Sequence, residues 1–167
     1  MKSFKIVLVG DTGVGKTSVI SSLLNRFSLG NSSTIGASFY KYNDTINKIN
    51  LDLWDTAGQE RFRSIVPLYY KNANIYLIVF DITKKKTLKN IKNWILNIQQ
   101  HDPILSEKKI IIIGNKSDLI NNFDEEKQRK SDLKILEKIE IDFELNYTSA
   151  LECYNIKKVF DNIGVYC

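Results

Sequence analysis

Two short strings in this chain combine residue types and spacing that can do chemistry: Gly10-Asp11-Thr12-Gly13-Val14-Gly15-Lys16-Thr17 and Asn115-Lys116-Ser117-Asp118. The first fits G-x-x-x-x-G-K-[ST], in which successive backbone N–H groups turn inward to form a concave nest for phosphates. Side chains at Gly10 or Gly15 are expected to obstruct that approach. Lys16 is placed to reach β- and γ-phosphates, and Thr17 offers a hydroxyl to Mg²⁺. In the second string the Asp118 carboxylate can accept hydrogen bonds from N1–H and N2–H₂ of guanine, a donor pair that adenine lacks. The combination reads as a GTP site rather than an ATP site. Between the two lies Leu53-Trp54-Asp55-Thr56-Ala57-Gly58-Gln59-Glu60-Arg61-Phe62. Here Asp55 can hold a magnesium shell, Gly58 can bring a bare backbone N–H against a γ-phosphate, and Gln59 can orient an attacking water.

These strings need elements to hold them. At 167 residues the chain is expected to form one domain burying roughly 70% of its unfolded surface. Short apolar runs alternate with amphipathic segments, which predicts βα units around a mostly parallel sheet. Phe4–Val9 reads as a strand running into the phosphate loop, and residues 16–27 as the helix after it. Residues 38–42 and 48–54 are expected to pair as an antiparallel hairpin, with Ile49, Leu51 and Leu53 on one face. Ile75–Asp81 and residues 109–114 read as buried strands. Helical spacing joins Leu88, Ile91, Ile95 and Ile98, and again Leu133, Leu136 and Ile139. Residues 143–147 are expected to be a last strand and 154–165 a last helix. The motifs then fall at the carboxyl ends of strands, where open α/β sheets bind ligands.

Composition narrows the partners. Hydrophobic content of 43% and charged content of 26% are those of an ordinary globular chain. No apolar run approaches the roughly 20 residues of a spanning helix. The first residues show neither a secretory cleavage site nor a glycine for N-myristoylation. The net charge of +5 is spread out, and the run Lys84-Lys85-Lys86 with Lys89 and Lys92 carries no interleaved aromatics. It reads as the solvated start of a helix rather than a nucleic-acid contact. The single histidine, His101, is expected in a loop; with one histidine no histidine-based zinc cluster is possible.

The chain resembles a Ras-superfamily small GTPase, and within that superfamily a Rab, from Phe4 to about Val165. The Rab-like residues are Thr34-Ile35-Gly36-Ala37-Ser38-Phe39, the Trp54-to-Phe62 string, Tyr69-Tyr70, Asp81-Ile82-Thr83 and Thr148-Ser149-Ala150. Ser64-x-x-Pro67-x-Tyr69-Tyr70 with the Thr34–Phe39 string is most similar to the early-endosomal branch. The resemblance implies an α/β P-loop GTPase domain: a mostly parallel six-stranded sheet with one antiparallel strand and helices on both faces. It implies GTP or GDP bound by Asp11, Thr12, Gly13, Val14, Gly15, Lys16, Thr17, Ser18, Phe27, Thr34, Gly58, Asn115, Lys116, Asp118, Ser149 and Ala150. Phe27 is the candidate for packing on the guanine face, and the Ala150 N–H for meeting the guanine oxygen. Mg²⁺ would be held by Thr17, Thr34 and Asp55, and hydrolysis carried by Gln59, Lys16 and Thr34. Ile35, Phe39, Trp54 and Tyr69 would form an effector surface, the other reading of the three aromatics being core. Segments 30–39 and 55–70 would order with GTP and relax on hydrolysis.

The implied partners are an exchange factor, a GTPase-activating protein, a GDP-dissociation inhibitor and effectors, with no nucleic acid. A monomer is expected in the cytoplasm and on the cytosolic face of an endosomal or other vesicular membrane. The membrane would be reached through a prenylated tail, yet Cys167 belongs to neither a C-a-a-X box nor a paired-cysteine end. A chain cut short of its tail is expected rather than a naturally tailless one. Three positions depart from the family pattern. The stretch from Lys16 to Thr34 is one residue short, Leu151 stands where a lysine is usual, and Thr12 sits beside the γ-phosphate position. Slow hydrolysis is expected, on the order of 10⁻⁴ to 10⁻³ s⁻¹ without an activating protein. Two alternatives stay open at this point: a P-loop ATPase or kinase, and a GTP-binding scaffold that no longer cycles.

Overall fold

The computed structural model describes residues 2–27 and 33–165. Six strands form one sheet in the order β2-β3-β1-β4-β5-β6. They are β1 (Lys2–Val9), β2 (Ala37–Asp44), β3 (Ile49–Thr56), β4 (Ile75–Asp81), β5 (Lys109–Asn115) and β6 (Glu144–Tyr147). Only β2 and β3 pair antiparallel; every other neighbouring pair is parallel. The expected mostly parallel sheet with one antiparallel strand is what the chain forms. β4 lies at the centre and is buried along its whole length, as its unbroken apolar run required.

The pleat of β1 shows how the two layers are fed. Ile6 and Leu8 pack with α1 (Lys16–Leu23) and α5 (Ile156–Val165), through Val19, Ile20, Leu23, Val159, Phe160 and Ile163. Val7 and Val9 point the other way, toward α2 (Lys85–Lys89) and α3 (Ile91–His101), where Leu88, Ile91, Trp94, Ile95 and Ile98 are buried. Leu136 of α4 (Glu125–Leu136) closes that second layer. Helices therefore cover both faces.

The differences from expectation are local and have physical causes. α1 ends at Leu23 rather than at Phe27, because Asn25 takes a left-handed backbone (φ 54°) that terminates the helix. α5 starts at Ile156 rather than at 154, because Tyr154 bridges back to Ser149 and Asn155 is left-handed (φ 59°). On α4, Leu133 is 41% exposed while Asp132, at 2%, takes the inward place beside Leu136. Asp132 accepts from Tyr147 Oη (2.8 Å) and Gln128 Nε2 (3.0 Å), so a satisfied buried carboxylate displaced the apolar pattern by one position. His101 is not in a loop but is the last residue of α3, its Nδ1 within 2.8 Å of the Asn97 carbonyl. Lys84, Lys85, Lys86, Lys89 and Lys92 are exposed around α2 and the start of α3, as a solvated helix start should be.

A guanine-nucleotide site at the carboxyl end of the sheet

The phosphate loop joins β1 to α1, and its Lys16 side chain folds back across it. Lys16 Nζ donates to the carbonyls of Gly10 (2.9 Å) and Asp11 (3.0 Å). Burial pushes this ammonium down from 10.5 to about 8, and the nearby Asp55 and Asp11 charges restore it only in part. Between that value and the ordinary lysine range the unfolded chain binds more protons than the folded one. The stability of the nucleotide-free protein therefore rises with pH across the window, and below it the full cost of burying the charge is felt. Phosphates favour the charged form, so at about pH 9 nucleotide binding is expected to take up close to one proton. Calorimetry in two buffers of different ionisation enthalpy measures that uptake; none at all would mean that some other cation balances the phosphates.

Close packing within the protein requires two of the loop's glycines. A Cβ on Gly10 would run into the Val79 carbonyl of β4, and one on Gly15 into the Asn115 amide, both backbones having positive φ. At both positions the loop is pressed against its neighbours, which leaves no room for a side chain. Gly58 is a third close approach, its Cβ direction aimed 2.5 Å from Lys16 Nζ and 2.6 Å from the Asp11 carbonyl. The backbone of the segment after β3 thus lies directly on the phosphate loop.

Three oxygens converge beside it. Thr17 Oγ1 donates to Asp55 Oδ2 (2.5 Å), Thr34 Oγ1 reaches the same oxygen (3.2 Å), and the two hydroxyls are 3.1 Å apart. Asp55 is fully buried and its other oxygen, Oδ1, has no hydrogen-bond partner among the described residues. Burial raises its pKa, against the opposing pull of the Thr17 bond, the Lys16 charge and the Thr34 bond. A carboxylate and two hydroxyls, with one buried oxygen unsatisfied, form a hard oxygen donor set that suits Mg²⁺ with phosphate oxygens completing its shell. No group of three or more His, Cys, Asp or Glu residues that could hold a metal ion occurs among the described residues. This site has one carboxylate and relies on hydroxyls.

The base pocket is built around Asn115 at the end of β5. Its Nδ2 donates to the Val14 carbonyl (3.0 Å), while its Oδ1 accepts from Thr148 Oγ1 (3.2 Å) and from the Ala150 N–H (3.1 Å). The N–H expected to face a guanine oxygen is thus already bonded to Asn115, and contact with a base there would be shared. Lys116, in a left-handed conformation (φ 72°), extends over the loop to the Gly13 carbonyl (2.7 Å) and pairs with buried Asp81 (2.8 Å). Burial works to raise the Asp81 pKa, but the Lys116 and Thr83 hydrogen bonds hold it below the usual carboxylate value. Asp118 Oδ1 accepts from Ser149 Oγ at 2.5 Å. Ser149 thereby fixes the direction of the Asp118 carboxylate. Phe27 is half-buried and packs against the apolar layer beneath α1 and α5.

Gln59 lies beside Gly58, with its Oε1 accepting from Arg61 Nε at 2.6 Å. Its side chain is tied to its own segment, so orienting a water requires exchanging that exposed bond. Thr12 is exposed on the rim of the loop, and Ser18 follows in the first turn of α1. Residues 30–32 of the expected switch segment 30–39, and Cys167, lie outside the described residues.

Beside the site runs an aromatic strip. Phe39 and Trp54 face each other across the β2–β3 pair with ring centroids 5.1 Å apart, and Tyr69 lies 5.5 Å beyond Trp54. Trp54 is partly buried and packs against the apolar core. Ile35 (78% exposed), Phe39 (46%) and Leu68 (74%) continue the apolar surface.

Sequence reasoning missed three contributors. Asp81, one of the Rab-like residues, carries no sign of a role in the sequence, yet it fixes Lys116. Asn90 and Trp94 donate to the Asp11 carboxylate. Trp94 falls three residues after Ile91 on the apolar face of its helix, and that spacing signals only core.

Phosphate loop, oxygen cluster and base pocket together define a guanine-nucleotide-binding α/β domain. The Ras family pattern matches residues 5–166 of this chain. The chain is 40% identical over 166 residues to Ras-related protein YPTC6 of Chlamydomonas reinhardtii, covering 96% of this chain and 73% of that protein. It is likewise 40% identical over 162 residues to Ras-related protein Rab-8B of Homo sapiens (94% and 74%). Over 169 residues it is 40% identical to Ras-related protein RABA2b of Arabidopsis thaliana (96% and 73%). The chain belongs to the Ras family and is a Rab-type small GTPase, a GTP-binding switch that hydrolyses GTP to GDP.

Proposed function

We propose that this protein is a cycling switch of vesicular membrane traffic, in which Thr34 and Gly58 sense the γ-phosphate. The observation that carries this reading is the meeting of Thr34, Thr17 and Asp55 at one point, with Gly58 packed on Lys16. Thr34 belongs to the chain leading into β2, and Gly58 to the segment after β3. Both would be held only while a third phosphate and its Mg²⁺ bridge them to the phosphate loop. Mg²⁺ bound by Thr17, Thr34 and Asp55 would neutralise charge on the β- and γ-phosphate oxygens. Lys16 spreads further positive charge there, and Gln59, released from Arg61, orients the attacking water.

Loss of the γ-phosphate frees both segments, and with them the surface around Ile35, Phe39, Trp54 and Tyr69 that effectors would read. Asn115, Lys116, Asp118, Ser149 and Ala150 select guanine, and Phe27 packs on the base. Leu151, half exposed, offers apolar cover where relatives use a lysine stem. Ser64, Pro67, Tyr69 and Tyr70, with the Thr34–Phe39 string, support the early-endosomal branch. An exchange factor, an activating protein that supplies an arginine, a GDP-dissociation inhibitor and a lipidated tail complete the cycle, with the domain acting as a monomer. Among the described residues no helix is long and apolar enough to cross a membrane.

The test compares partners captured from native lysate by Gln59→Leu loaded with GTP and by Thr17→Asn. Gln59→Leu is expected to bind GTP normally and to hydrolyse it about tenfold or more slowly, since it lacks the water-orienting amide. Partners unique to the GTP form would support the switch. Identical partners in both forms, with nucleotide loading confirmed, would favour a non-cycling scaffold. A Gln59→Leu hydrolysis rate equal to that of the wild type would remove the water-orienting role.

A further inference from the structure

A carboxylate in a loop built for phosphates is electrostatically adverse unless it is turned away and neutralised. Asp11 is turned away. Its backbone carbonyl accepts from Lys16, and Gly58 packs against it, but its side chain points to α3. There Oδ1 accepts from Asn90 Nδ2 (2.5 Å) and from the indole N–H of buried Trp94 (2.9 Å). The guanidinium of Arg63 completes the cluster, 4.0 Å from the same oxygen and 5.3 Å from the centre of the Trp94 ring. Arg63 stands at the end of a single 3-10 turn, Glu60–Phe62, whose bonds run from Phe62 N–H to the Gln59 carbonyl (3.0 Å) and from Arg63 N–H to the Glu60 carbonyl (3.1 Å). Gln59 and Arg63 therefore move as the two ends of one short turn.

We propose that Asp11 is a positioning residue for GTP hydrolysis: with Trp94 it forms an anchor on which Arg63 docks, holding the turn that carries Gln59 over the phosphate loop. The stacked guanidinium needs both partners. The carboxylate supplies charge, the indole supplies a flat face, and Asn90 and Trp94 fix the carboxylate so that Arg63 meets a preformed seat. This inference rests on Gln59 being the water-orienting residue.

The test is a double-mutant cycle on the nucleotide-loaded full chain, read by single-turnover hydrolysis and by GDP dissociation. Arg63 is half-exposed, so Arg63→Ala is expected to fold. It should slow hydrolysis by about ten- to a hundredfold, the cost of a catalytic group held loosely, with GDP dissociation unchanged. Asp11→Asn should slow hydrolysis in the same direction, and the double variant no further than the slower single. Arg63→Lys should recover part of the rate, keeping charge but not the planar stack. In a Trp54→Phe background, Arg63→Ala should also shift the emission of Trp94. Losses that simply multiply, or Arg63→Ala at the wild-type rate, would overturn the anchor. Gln59→Leu at the wild-type rate would instead overturn the reading beneath it, so the two failures are distinguishable.

Discussion

Asp118→Asn is expected to weaken GTP binding by about two to four orders of magnitude and to confer binding of xanthosine triphosphate. Guanine presents N1–H and N2–H₂ to this carboxylate, and each hydrogen bond to a charged acceptor contributes roughly 1.5–3 kcal/mol. Losing or inverting both gives roughly 3–6 kcal/mol, which is the stated range of affinity. Xanthine carries a carbonyl where guanine has its amino group, so the Asn amide finds there an acceptor that guanine lacks. The half-exposed position of Asp118 keeps the folding cost small, and Ser149 Oγ, 2.5 Å from Oδ1, holds the new side chain in the same place. Competition of GTP and xanthosine triphosphate against a fluorescent guanine nucleotide measures both affinities. A variant that still prefers GTP would remove Asp118 from base reading.

The parts of this site that could be read in the chain are those whose chemistry is local. Gly10 to Thr17 must form one turn between a strand and a helix, so its spacing alone carries the meaning, and the same holds for Asn115 to Asp118. The sheet was legible for a similar reason, since the unbroken apolar run of β4 and the alternation of β3 each follow from burial on two faces or one. What stayed hidden are pairings between segments far apart in sequence. Nothing in Lys116 announces that its ammonium bridges Gly13 and Asp81. Nothing in Asp132 announces that Tyr147 makes it an inward residue. Trp94 was concealed by its own hydrophobicity: its ring is core, and only its N–H edge belongs to the site. Helix ends were misplaced where Asn25 and Asn155 take left-handed backbones, a choice that composition does not force.

Those long-range pairings make Asn115 the side chain on which the site depends most, and its removal should affect binding and folding together. Asn115→Ala frees the Val14 carbonyl, the Thr148 hydroxyl and the Ala150 N–H at once, in a position only 2% exposed. A buried group left without a partner costs about 1–3 kcal/mol, so three of them, relaxing partly, cost roughly 3–6 kcal/mol. Nucleotide binding stiffens this same junction, and GDP is expected to dissociate about a hundred- to ten-thousandfold faster, with a clear loss of melting temperature. Asn115→Asp separates the two ends of the amide. It keeps an acceptor for Thr148 and Ala150 but sets a carboxylate oxygen against the Val14 carbonyl, so it should detach the phosphate loop while leaving the β6 side bonded. GDP dissociation as fast as in Asn115→Ala would place the dependence on the bond to Val14. Near wild-type dissociation would place it on Thr148 and Ala150. Asn115→Ala with unchanged dissociation and melting would show that the two motifs are held together by the sheet alone.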